Sequence, residues 1–170
     1  MDTARKTLLI VWHSRTGAAR QLAEAAAEGA RDVLHELDAL DQLRIVTRTA
    51  GQAVAADVLQ ADAYLFCAPE NLGSVSGAMK EFFDRCYYDV LDHVNGRPYA
   101  LAIAAGSDGQ GALNQVQRIC TGWRLRAVAE PYIAHTDAQT PQAILAAKTL
   151  SAEQRDAART LGGTLAALLV

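Results

Sequence analysis

Four prolines, three cysteines and an aromatic share of 6% leave this 170-residue chain poor in residues that mark several functional classes. Cys67, Cys86 and Cys120 are odd in number and lack Cys-x-x-Cys spacing. That excludes a disulfide framework and a dithiol redox pair, and leaves reduced core thiols. His13, His35, His93 and His135 stand singly, so no metal is expected. No apolar run approaches the roughly 20 residues of a membrane span. A net charge of −3 argues against a nucleic-acid surface. It is also mild for a carrier that docks on basic partners through a strongly acidic face. The start, Met1 to Lys6, is followed by five apolar residues and no small-residue cleavage site. It therefore predicts no secretory signal and a cytoplasmic protein. Repeats, low-complexity tracts and linker-like stretches are missing too, which predicts a single domain over 1–170.

What is present is alternation. Leu8-Leu9-Ile10-Val11-Trp12 reads as a strand buried on both faces. Leu22, Ala26, Ala30, Val33 and Leu37 then recur at helical spacing. Leu43–Val46 reads as a second strand and Ala53–Leu59 as a weak helix. A third strand, Ala63–Ala68, is predicted to end at Pro69. Gly77–Leu91 follows as a helix with Met79, Phe82, Phe83 and Cys86 inward. Tyr99–Ala105 is a fourth strand, and the helix marked by Leu113, Val116 and Cys120 is predicted to close at Gly122 as its C′ residue. Arg126–Ile133 reads as a fifth strand. Ser151 and Gln154 form a capping box before Ala158, Leu161, Leu165 and Leu168. Five strands alternating with helices give a parallel α/β three-layer sandwich, with ligands at the C-terminal edge of the sheet.

Three loops at that edge carry polar chemistry. His13-Ser14-Arg15-Thr16-Gly17 joins the first strand to a helix, where unpaired N–H groups and the helix dipole favour an anion. It lacks the Gly-Lys-Ser/Thr of a Walker loop and the Gly-x-Gly-x-x-Gly fingerprint, and suits a terminal monophosphate. The competing reading is a capping turn in which Thr16 caps the helix and Ser14 is incidental. Arg15 either meets the phosphate or faces solvent, and His13 has no nameable partner. In the second loop, Pro69 to Gly77, Asn71 and the N–H groups around Gly73 can read the edge of a planar heterocycle, with Leu72 over its face. Pro69 and Ser76 also serve simply to end a strand and cap a helix. The third loop, Gly106 to Gly111, has three glycines and Asp108. It reads as exposed N–H groups beside a ligand or as a flexible connection. No nucleophile–base arrangement stands out, so no catalytic side chain is assigned. If the chain is an enzyme, the hard chemistry falls to a bound cofactor.

These loops resemble those of the flavodoxin-like superfamily over essentially the whole chain. The segment Pro69 to Asp84 is similar to the Pro-x-x-x-Gly-Ser-x-x-Gly-x-x-Lys-x-Phe-x-Asp pattern of NAD(P)H-dependent FMN reductases and related flavin quinone reductases. The resemblance implies a five-stranded parallel sheet of order 2-1-3-4-5. It implies FMN, its phosphate held by Ser14, Arg15, Thr16, Gly17, Ala18 and Ala19. The ring would fall to Pro69, Glu70, Asn71, Leu72, Gly73 and Ser74, and its other side to Gly106, Ser107, Asp108 and Gly109. One departure stands at Ala19, where members usually carry a further hydroxyl. Losing one hydrogen bond to a charged phosphate costs about 1.5–3 kcal/mol.

The function so implied is transfer of electrons from NAD(P)H, the donor, through FMN to a quinone, a flavin or a similar small acceptor. Neither nucleic acid nor membrane is a partner in this reading. Relatives that pair subunits imply a homodimer or tetramer. Two alternatives stay open: a one-electron flavodoxin-type carrier, and a flavin-free interaction protein on the same fold, the latter motivated by Ala19.

Overall fold

A computed structural model of the chain describes residues 5–170; Met1 to Ala4, part of the start read above for a signal, lie outside the described residues. Strand β1 (Lys6–Trp12) lies inside the sheet rather than at its edge, as side chains apolar on both sides require. Leu8 and Ile10 enter one core and Leu9 and Val11 the other, as the two-residue period of a strand requires. β1 lies between β2 (Leu43–Thr49) and β3 (Ala63–Asn71), parallel to both. β3 pairs in parallel with β5 (Pro98–Ala105), and β5 with β6 (Arg126–Ala127) and β7 (Tyr132–His135). The two-residue β4 (Ser74–Val75) returns antiparallel on β3. The five-position order is therefore 2-1-3-4-5, the last position shared by β6 and β7. This is the flavodoxin-like fold.

Helices cover both faces. α1 (Ala18–Glu36) and α6 (Ala152–Leu169) lie on one side. α3 (Gly77–Val90) and α4 (Gln110–Gly122) lie on the other, with the short α2 (Ala55–Gln60) beside α3. A further short helix, α5 (Pro141–Leu145), precedes α6. The Ser151–Gln154 capping box is present, with hydrogen bonds of 3.1 and 3.0 Å. Cys67, Cys86 and Cys120 are free and buried. No helix among the described residues is long and apolar enough to cross a membrane.

Several boundaries differ from expectation, each for a local reason. The predicted strand Arg126–Ile133 is broken around Pro131, which has no N–H to give the ladder. β3 does not stop at Pro69 but runs through it, because at this strand end the missing N–H is tolerated. Gly122 is the last residue of α4 rather than its C′ residue, and Arg124 takes the left-handed conformation with φ 60°. Leu37, expected on the buried face of α1, sits past its end and is exposed.

Candidate functional site

The C-terminal ends of β1, β3 and β5 open onto one cleft of about 610 Å³, inside the roughly 300–1,000 Å³ range of small-molecule sites. Its first wall is the loop before α1. Gly17 occupies the N-cap with φ 100°, a conformation that strains any side-chain-bearing residue. The Gly17 N–H donates to Ser14 Oγ at 3.0 Å, which closes the turn. Gln21 supplies the first helical N–H to find a partner, the Gly17 carbonyl at 3.1 Å. The N–H groups of Ala18, Ala19 and Arg20 therefore begin the helix without intrahelical partners. No acidic residue stands in the first turn, so the positive end of the dipole is uncompensated. The capping-turn reading does not hold, since Thr16 caps nothing and Ser14 shapes the loop. Arg15 is exposed and pairs with no carboxylate among the described residues, whereas Arg20 lies 3.6 Å from Glu24.

The second wall is a hairpin. Asn71 and Ser74 pair across Leu72 and Gly73, whose φ values of 52° and 76° are both left-handed. Such a turn matches the twist of a two-residue hairpin but favours Asn-Gly. A leucine there costs about 1–2 kcal/mol, and Leu72 is fully exposed. The Glu70 carboxylate accepts from the N–H groups of Gly109 at 2.9 Å and Ala112 at 3.0 Å. It thus caps α4 from another strand, while the residue still lines the cleft. Gly111 packs on the Gly73 carbonyl too closely for any Cβ. The hairpin is held by α4.

In the third loop one backbone N–H is already engaged within the fold. Gly106 and Ser107 line the cleft. Gly109 has its N–H on Glu70, and exposed Asp108 uses its carbonyl to accept from His135 Nε2 at 2.9 Å. A Cβ on Gly106 would stand 2.8 Å from the Ala138 carbonyl oxygen, so this glycine answers to packing. The cleft lining brings together Ser14, Arg15, Thr16, Ala18 and Ala19 with Pro69, Glu70, Asn71, Leu72 and Gly73. Gly17, Ser74, Asp108 and Gly109 are outside it.

A fourth wall went unread in the sequence: Thr136, Ala138, Ile144, Leu145 and Lys148. Thr140-Pro141 was its available signal, a hydroxyl N-cap followed by proline at N1. Thr140 Oγ1 does accept from the Ala143 N–H at 3.2 Å. His13 also gains the company the sequence could not name. Its Nδ1 lies 2.8 Å from Ser76 Oγ, a fully buried hydroxyl 63 positions away. Ser76 holds the N-cap place of α3, yet its hydroxyl goes to His13 rather than to the helix. Burial, and then the charge of Arg15, hold the His13 pKa below its usual 6.5. Burial pushes the Cys67 thiol well up and Cys86 to about 11, so neither is a ready thiolate at neutral pH.

Residues 6–140 match the family described as NADPH-dependent FMN reductase. The chain is 29% identical to a flavodoxin of Aquifex aeolicus (strain VF5) over 164 residues, 94% of this chain and 84% of that one. A WrbA-like flavodoxin from Agrobacterium tumefaciens superposes with a TM-score of 0.71 at 18% identity, covering 96% of this chain and 97% of that one. An oxidoreductase from Corynebacterium diphtheriae gives 0.72 at 19%, covering 98% of each. At those identities the structures speak for the shared fold alone. The relatives divide between flavodoxins and an oxidoreductase, while the family match spans most of the chain, including the three loops. The chain belongs to the NADPH-dependent FMN reductase family, for which FMN is the implied cofactor.

Proposed function

We propose that the protein binds FMN in this cleft and passes electrons from NAD(P)H to a small acceptor such as a quinone or a flavin. The residues fit that cofactor. The unpartnered N–H groups at the start of α1, beside the hydroxyls of Ser14 and Thr16, form a cradle for a terminal phosphate. Gly17 gives the loop its shape, and Ala19 contributes its backbone but no hydroxyl. FMN would supply the hydride-accepting and electron-donating chemistry. The chain would bind, orient and shield it. Asn71 and the Gly73 N–H supply polar groups at the hairpin, Leu72 an apolar cover, and Pro69, Ala104 and Ala105 a floor that excludes water.

One observation favours a small acceptor over a protein partner. The mouth of the cleft presents Leu72, Ile144 and Leu145, all exposed, with Arg15 as an unpaired cation. Its lining has no free carboxylate, because Glu70 is occupied by α4. A carrier that docks on basic partners needs acidic charge there. The Aquifex aeolicus flavodoxin supports the second reading, a one-electron carrier on the same site.

The deciding experiment is a visible-absorption titration of the apo protein with FMN, followed by NADPH or NADH without oxygen. Saturable binding with a perturbed spectrum that either nucleotide bleaches is the expected result. Binding without bleaching by either favours the carrier. No perturbation at micromolar protein overturns the cofactor assignment.

A further inference from the structure

The segment after β7 is tied to the cradle by a set of hydrogen bonds centred on Lys148. Its backbone N–H donates to the Thr16 carbonyl at 2.8 Å. Gln21 Nε2 donates to the Lys148 carbonyl at 2.7 Å and to the Gly17 carbonyl at 3.0 Å, while Gln21 Oε1 accepts from the Leu150 N–H at 3.0 Å. One glutamine amide thus joins the first turn of α1 to a strap 127 positions further on. The Lys148 ammonium donates to the carbonyls of Ala143, Ile144 and Ala146 at 2.7, 3.0 and 2.6 Å. It closes the C-terminal end of α5, where a cation also meets the negative end of the peptide dipoles.

Charge completes the picture. Lys148 is half-buried and lines the cleft. Among the described residues no carboxylate pairs with it. Arg15 is the other cation of the lining and is also unpaired, and the only carboxylate there, Glu70, is committed to α4. Two cations with no carboxylate partner among the described residues, beside open N–H groups, favour an anion in the cleft.

We propose that Lys148 is the residue that makes this cleft select a phosphorylated flavin over an unphosphorylated one. Its main chain fixes Thr16, its ammonium fixes the strap, and its charge acts on the phosphate through the cleft without direct contact. It is a positioning and specificity residue. The proposal rests on FMN as the ligand.

The test compares dissociation constants for FMN and riboflavin, read by flavin fluorescence, in the wild type, Lys148→Met and Lys148→Arg, each at several salt concentrations. Wild type should prefer FMN, with affinity that falls as salt rises. Lys148→Met should weaken FMN on the order of tenfold. Riboflavin binding should weaken much less, through the loosened strap alone, and the salt dependence should flatten. Lys148→Arg should recover most of the FMN preference. Equal weakening for both flavins would make Lys148 a purely structural cap and overturn the proposal, as would no change for either. Normal wild-type FMN binding in those cases leaves the cofactor reading intact; a wild type that binds neither flavin overturns both.

Discussion

The two faces of the sheet are built of different materials. Toward α1 and α6 the core is mostly alanine and leucine, with Ala19, Ala23, Ala26, Ala27 and Ala30 buried along α1. Gly162 of α6 faces the Ala26 backbone more closely than any Cβ allows. Toward α3 and α4 the core is aromatic. Phe66 packs on Phe83 with ring centroids 5.0 Å apart, and Phe83 on Trp123 at 5.3 Å. Small residues let helix backbones touch, so position is set by main-chain contact. Aromatic rings fill space and supply buried area, so stability is set there. The proposed phosphate cradle stands at the start of the small-residue helix, and the hairpin leans on the aromatic side through α4. One face holds the cradle steady; the other holds the protein together.

Truncation on the aromatic face should have the largest effect. Phe66→Ala is expected to lower unfolding free energy by about 3–5 kcal/mol, measured by urea denaturation. FMN affinity of the folded fraction should be unaffected. A loss below about 1 kcal/mol would mean the rings contribute no special packing. Enlarging the small-residue face comes next. Gly162→Ala should cost about 1–3 kcal/mol by overpacking and, by displacing α1, should also weaken FMN binding. If it weakens stability alone, the division of labour between the faces is wrong.

Glu70→Ala tests the link between hairpin and α4. Loss of a helix cap is expected to cost about 0.5–2 kcal/mol, with faster amide exchange at Gly109 and Ala112 as its signature. Unchanged exchange there would show that Gly111 packing alone holds the loop. The smallest effect is a pH dependence at His13. Its native pKa is lowered, so the unfolded chain binds the proton more readily. The stability associated with neutral His13 is fully present above about pH 6.5 and declines as pH falls through the lowered native value. His13→Gln should flatten that part of the stability–pH curve relative to wild type; identical slopes would place the coupling elsewhere.

Much of this was legible from local pattern. Leu8–Trp12, the Ser151–Gln154 box and the inward face of α3 are periodic or capped, so short-range chemistry specifies them. The candidate site was legible where a strand runs directly into a loop and helix, as at Ser14 to Ala19. It was illegible where distant residues meet. The partnership of His13 with Ser76, the use of Glu70 by α4 and the strap through Gln21 and Lys148 all join positions far apart in the chain. The third loop has a packing duty that the sequence hides for a related reason. Its glycines look like ligand-facing flexibility in one dimension, and only the fold shows Ala138 and Gly73 pressing on them.

The opposite treatment of two helix starts at the same sheet edge gives the cleft a polarity. At α1 the amide hydrogens are left open and the turn is free of acids. At α4 the amide hydrogens of Gly109 and Ala112 already hold a carboxylate. A molecule with a charged tail and a neutral head therefore meets attraction at one end and a filled, negatively charged seat at the other. Only one of its two insertions is favourable. A ligand of that kind, bound as proposed, would be oriented before any contact with its neutral end is made.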